Sequence, residues 1–173
     1  KNEKSAVEAE NRLGDAGRFE PGLPAIGDSQ QLFVLNGVAK LKDNGRMAII
    51  QNGSPLFKGD AGSGESEIRG FLLENDWLEA IIQLPNDLFY NTGIATYVWI
   101  ITKNKPVERV GKVQLIDAGK CCEKRRKSLG SKRNEITDKC RLLIDQAYLD
   151  FKDQTLTDDE NPEIKVESKI KDN

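Results

Sequence analysis

A chain of 173 residues has room for one domain with a sizeable buried core. Its composition, 38% hydrophobic and 31% charged, is globular, and a net charge of -2 excludes a global electrostatic pull toward nucleic acid. Histidine is absent, which removes Ser-His-Asp and Cys-His chemistry and histidine metal sites, and no apolar run approaches the roughly 20 residues of a membrane-spanning helix.

Residues 1–27 are rich in charge, glycine and proline, with Phe19, Leu23 and Ile26 as apolar anchors. They read as a variable, mobile loop with a short charged helix near Ala6 to Asn11. A helix begins near Asp28 or Ser29, either of which can cap free N–H groups. Leu32, Leu35, Val38, Ala39 and Leu41 follow at near-helical period, and Asn44-Gly45 ends the element. Arg46 to Gln51 is a short, mostly apolar run of the kind that forms a buried strand. The loop 52–64 has several glycines but fits neither phosphate-binding glycine template. A second helix over about 65–75 presents Ile68, Phe71 and Leu72 on one face, with Glu65 and Glu67 at its positive end.

Two strands follow, 78–84 and 96–102. The segment between them is the most informative in the chain. It is a loop, Leu84-Pro85-Asn86-Asp87-Leu88-Phe89-Tyr90, and then a turn, Asn91-Thr92-Gly93. Residues 85–94 are too few to hold a crossover helix, so the two strands should pair antiparallel within a mostly parallel sheet. Lys112 to Asp117 alternates imperfectly and reads as a strand near the sheet edge. Residues 119–152 read as a basic loop and a helix over about 134–151, and 153–173 as a polar tail or linker. The cysteines, Cys121, Cys122 and Cys140, fit no zinc site and suit reduced thiols in a cytoplasmic protein.

Several pieces occur in an order that resembles one family. They are Leu41-Lys42-Asp43-Asn44-Gly45-Arg46-Met47-Ala48-Ile49-Ile50, Leu56-Phe57-Lys58-Gly59, Glu67-Ile68-Arg69 with Leu72-Leu73, and Leu84-Pro85 with Phe89 and Thr92-Gly93-Ile94-Ala95-Thr96. Together they resemble the back half of the catalytic domain of the methylation subunit of type I restriction-modification systems, an adenine-specific DNA methyltransferase family. The likeness runs from about Asp28 to Asp150. It implies an α/β fold, a fragment of a Rossmann-like S-adenosylmethionine-dependent methyltransferase sheet with flanking helices and an antiparallel late strand. Residues 28–118 would be the second half of that domain.

The family's glycine-rich cofactor loop and its Asn-Pro-Pro-Phe motif have no match in the chain. The resemblance therefore implies a piece cut just after the main catalytic motif, with no catalytic, cofactor-binding or metal residues of its own. Half a cofactor cleft cannot orient methyl donor and amine, so this piece is expected to be inactive alone. In the intact subunit it would help methylate a flipped adenine using S-adenosylmethionine. Its partners would be DNA and the specificity and restriction subunits, with no membrane. The alternative is a non-catalytic DNA- or subunit-binding α/β module.

By the same resemblance Phe89 stacks on the extruded adenine, since base flipping needs flat faces to replace lost stacking. From spacing alone Phe89 reads as an ordinary loop-to-core anchor beside Leu88. Tyr90 is a second base-binding candidate, or an exposed loop tyrosine. Lys124, Arg125, Arg126, Lys127, Lys132 and Arg133 are candidate contacts to DNA phosphates, or a solvated loop or subunit contact. Trp77 and Trp99 read as core or subunit-interface residues rather than ligand platforms. Asp87 and Asp117 lie near strand ends and receive no role.

Overall fold

The computed structural model describes residues 2–173. Its centre is a six-stranded sheet built from β1 (Arg46–Asn52), β2 (Leu78–Gln83), β3 (Thr96–Thr102), β4 (Lys112–Asp117), β7 (Gln154–Thr157) and β8 (Lys165–Asp172). The spatial order is β1-β3-β2-β4-β8-β7. The helices are α1 (Asn2–Asn11), α2 (Gln30–Lys40), the single turn α3 (Ser54–Phe57), α4 (Gly64–Glu74) and α5 (Asp138–Asp150). A separate two-stranded ribbon pairs β5 (Glu123–Leu129) with β6 (Lys132–Glu135).

Period-two alternation sorts the side chains onto two faces. On β3, Trp99 and Ile101 point to the face covered by α2 and α4, where they pack with Val34, Val38 and Leu72. Val98 and Ile100 point to the other face, where α5 brings Cys140, Ile144 and Ala147 against Ile82, Ile116 and Val166. Trp99 is fully buried, and Trp77 packs at the margin with its ring edge-on to Phe71 at 5.3 Å. The N-terminal segment docks behind the helices through Phe19, against Leu35 and Ile68. Ile26, expected as an anchor, is instead 80% exposed.

The antiparallel pairing of β2 with β3 is present, in the register Ile81↔Trp99 and Gln83↔Tyr97. The expectation of a mostly parallel sheet fails: of the five strand pairs only β2 with β4 is parallel. The reason is connectivity. The chain reverses after β2 and again after β3, so β4 returns on the far side of β2 in the same direction. β1 and β2 also run the same way but are separated by β3.

Three further expectations are corrected. β4 is interior, because β8 pairs along its outer side from Lys112↔Asp172 to Asp117↔Glu167. The stretch 153–173, expected as a polar tail or linker, supplies β8 and β7, which complete the sheet. Ile164, Val166 and Ser168 are buried there while Lys165, Glu167 and Lys169 face outward. The basic segment expected as a loop is the β5–β6 hairpin, so the following helix starts at Asp138 rather than near Asn134. Gly130 takes the first position of the two-residue turn with φ +59°, as hairpin turns of the primed kind require.

Candidate functional site

β1, β2 and β4 run in one direction, so Asn52, Gln83 and Asp117 end at a common edge of the sheet. Open α/β folds bind ligands at this carboxyl edge. The loop 84–95 leaves β2 there and returns into Thr96. Its base is closed by the Leu84 amide donating to the Thr96 carbonyl at 2.8 Å. Leu84 and Pro85 are buried, and Leu88 packs against the core beneath α5. The loop therefore hangs from apolar anchors and lifts its tip clear of the core.

At the tip, Asp87 adopts a left-handed backbone with φ +54°. Aspartate tolerates this conformation better than most residues. Its amide donates to the Gly93 carbonyl at 3.3 Å, and Phe89 forms a bridge with Thr92. A side chain at Gly93 would place Cβ 2.7 Å from Asp87 Oδ1, so the Asp87 carboxylate would have to turn aside. A ring awaiting a base should stand largely open, whereas Phe89 lies half-buried at this edge; Tyr90 is 64% exposed.

The basic hairpin docks on this loop. The Ser131 amide donates to the Tyr90 carbonyl at 2.8 Å. The amides of Arg133 and Asn134 both donate to the Asp87 carbonyl, at 2.8 and 3.1 Å, and Asn134 Nδ2 donates to the Asn86 carbonyl at 2.9 Å. Two segments that the sequence treats separately are thus one unit. Between them lies a recess of about 540 Å³ lined by Asp87, Lys124, Arg125, Ser128, Arg133 and Asn134.

The six basic candidates are not equivalent. Arg125 is held by Glu135 at 2.7 Å. Lys124, Arg126, Lys127 and Arg133 are exposed and Lys132 is half-buried, and these five form no ion pair among the described residues. Lys124 also faces a wider groove of about 1120 Å³ shared with Lys120 and Lys139, but Lys139 is already paired with Glu123 and Asp158.

A polar cluster at the end of β1 was not anticipated beyond the capping role of Asp28. The Asp28 carboxylate accepts from Ser54 Oγ at 2.6 Å and from Gln30 Nε2 at 3.0 Å, with Lys58 at 3.4 Å. Burial by itself would raise its pKa, but the hydrogen bonds from Ser54, Gln30 and Lys58 outweigh it and hold the carboxyl below its usual range. Asp117 caps its own turn, accepting from the Gly119 amide at 2.8 Å. No helix among the described residues is long and apolar enough to cross a membrane, and no metal-ligating cluster of three or more His, Cys, Asp or Glu occurs among them.

A model of the N-6 DNA methylase family matches residues 2–171. The MjaIX methylase subunit of a type I restriction enzyme from Methanocaldococcus jannaschii is 30% identical over 125 residues, 70% of this chain and 22% of that protein. The HindI methylase subunit from Haemophilus influenzae is 33% identical over 107 residues, 61% of this chain and 23% of that protein. Among solved structures, the methyltransferase subunit of a type I restriction-modification system from Streptococcus thermophilus superposes with a TM-score of 0.69 at 34% identity, covering 79% of this chain and 28% of that one. The EcoKI M protein, at 18% identity and a TM-score of 0.58, shares the fold over 84% of this chain and 34% of its own. This chain thus spans about a fifth of the length of these curated relatives. Its sheet is a portion of the Rossmann-like methyltransferase fold, and the chain belongs to the N-6 DNA methylase family.

Proposed function

We propose that this chain is the target-base portion of an adenine-specific DNA methyltransferase subunit in a type I restriction-modification system. The intact protein would methylate the exocyclic nitrogen of an adenine rotated out of the duplex. Its partners would be DNA and the specificity and restriction subunits, in the cytoplasm, where the three free thiols stay reduced. The observation that carries the reading is the loop 84–95. It sets Phe89 and Tyr90 at the carboxyl edge of a methyltransferase sheet, beside a hairpin bearing unpaired cations. Phe89 would stack on the base and Tyr90 would offer its hydroxyl, while Lys124, Arg126, Lys127, Lys132 and Arg133 would meet backbone phosphates. Arg125, tied to Glu135, would contribute least.

S-adenosylmethionine would supply the methyl group in the intact protein. On this reading the chain would supply only part of a site for it. At the turn after β1 the donors are spent on one another: the Asn52 amide on Gln30 Oε1 at 2.8 Å, the Ser54 amide on Asn52 Oδ1 at 2.9 Å, and the Ser54 hydroxyl on Asp28. No methyl-transfer step is therefore assigned to the chain alone.

The test is transfer of labelled methyl groups to duplex DNA by the intact protein with its specificity subunit, beside calorimetric titration of the isolated chain with cofactor. Adenine N6 methylation by the first and no saturable binding by the second are expected. Micromolar binding by the isolated chain would show that the cofactor site lies within it. Labelling of a base other than adenine would overturn the substrate.

A further inference from the structure

The contacts between the hairpin and the loop go beyond supplying charge. The Tyr90 carbonyl receives the Ser131 amide at 2.8 Å, and the Asp87 carbonyl receives two amides from β6. Asn134 adds a side-chain bond to the Asn86 carbonyl at 2.9 Å. All of these partners are backbone carbonyls on the limb that carries Phe89. Such bonds fix the path of the loop whatever its side chains are.

Gly130 makes the approach possible. A Cβ at this position would lie 2.5 Å from the Tyr90 carbonyl oxygen and 3.5 Å from its carbon. Its φ of +59° also disfavours any residue with a side chain. The turn of the hairpin therefore sits directly on the backbone of the second aromatic. The rest of the hairpin is open, since Lys124, Arg126, Lys127, Ser128 and Leu129 are exposed. Its own folding contributes little to the two main clusters of the core, which lie on the sheet faces.

We propose that the β5–β6 hairpin is the positioning element of the target-base loop, with Gly130 and Asn134 as positioning residues, so that phosphate capture and base capture belong to one rigid jaw. This rests on the reading of Phe89 as the base-stacking residue. A duplex held by the hairpin cations would present its extruded base at a set offset from Phe89, because backbone hydrogen bonds tie the loop to the hairpin. Neither Gly130 nor Asn134 needs to touch DNA for this.

The experiment uses the intact methyltransferase with 2-aminopurine at the target adenine. Fluorescence reports extrusion, and titration reports duplex affinity and its salt dependence. Gly130→Ala blocks the close approach, and Asn134→Ala removes the side-chain bond to the Asn86 carbonyl without changing the charge of the recess. These two variants are independent, so failure of one to fold leaves the other. Each is expected to lower the extrusion signal and kcat while leaving the salt slope of binding unchanged, because the cations remain. The loss in kcat should reach up to about 100-fold, the usual consequence of misplacing a reacting group by an ångström. Phe89→Ala runs alongside. If it abolishes extrusion and both positioning variants leave extrusion intact, the hairpin does not position the loop. If the positioning variants lose affinity in proportion to extrusion, the hairpin acts only through phosphates, and the proposal also falls. If Phe89→Ala itself changes nothing, the base-stacking reading fails first and takes this inference with it.

Discussion

The phenol of Tyr148 donates a 2.6 Å hydrogen bond to Glu79 Oε1, joining α5 to β2 across 69 residues. Glu79 is 1% exposed and also faces Arg46 at 3.1 Å and Arg109 at 3.6 Å. The Arg109 guanidinium lies 4.5 Å from the ring centre of Tyr148 and 4.3 Å from that of Phe151, and donates to Gln114 Oε1 at 3.0 Å. This network clamps the amino edge of the sheet, opposite the candidate site. Arg109→Ala leaves the buried Gln114 Oε1 without its donor, while Glu79 keeps Arg46 and Tyr148, so the fold should lose about 1–3 kcal/mol. Arg46 is half exposed, and Arg46→Ala should cost only about 0–1 kcal/mol. Urea unfolding of the two variants tests the ranking, and equal losses would contradict it.

Alkaline pH should weaken the fold through two groups. Burial, reinforced by Glu79, pushes the Tyr148 phenol from 10.0 up to about 12, and burial beside Cys140 pushes the Cys121 thiol from 9.0 to about 12. Both are neutral when protonated, and the folded state holds the proton more tightly. The unfolded chain therefore releases its protons first as pH rises. Stability should be level below about pH 9 and fall from there to about pH 12. Tyr148→Phe should remove the tyrosine share of that decline. Urea midpoints measured from pH 8 upward give the answer, and a parent and variant with identical pH profiles would refute it.

Ile164 distinguishes a structural strand region from a linker. It is 3% exposed and belongs to the cluster of Ile82, Ile116 and Ile144. Ile164→Ala should cost about 2–5 kcal/mol, the usual loss for a buried aliphatic truncated to alanine. In a solvated tail the same change would stay within about 0.5 kcal/mol. A thermal melt separates these outcomes.

For Phe89 the energies divide stacking from packing. In the intact protein Phe89→Ala should weaken base capture by about 1–3 kcal/mol, the stacking contribution, and Phe89→Trp should retain most of it. A core phenylalanine would instead lose about 3–5 kcal/mol of folding stability on truncation. Fluorescence of a base analogue beside a melt of the alanine variant reads both quantities.

The cations of the hairpin should show themselves in the salt dependence of DNA binding. Replacing Lys124, Arg126 or Lys127 by Gln should each lower the slope of log affinity against log salt by up to about 0.9 if that side chain neutralises a phosphate. Arg125→Gln should change it least, because Arg125 is already held by Glu135 at 2.7 Å. A uniform effect across all four would mean that net charge, not placement, drives binding.

Most of the local structure in residues 30–117 is legible in the order of the amino acids. Apolar periodicity located α4 and β1 through β4 nearly to the residue, because side-chain period follows from the backbone geometry of one element; it also located α2, which ends at Lys40, with Leu41 already extended, rather than at Asn44-Gly45. It also located the loop carrying Phe89 and Tyr90, and the motifs that tie the chain to its family. Elsewhere the signals were present but outweighed. In β8, Val166, Ser168 and Ile170 alternate with Lys165, Glu167, Lys169 and Lys171, yet the charge of the segment resembled a tail. Gly130-Ser131 is a two-residue hairpin signal flanked by basic rather than apolar runs. Long-range packing alone sets β3 between β1 and β2, lays β8 along β4, and brings the amide of Ser131 to the carbonyl of Tyr90. Those pairings depend on which distant segments can bury apolar faces and satisfy backbone groups together. That is a property of the whole chain, and no local pattern encodes it.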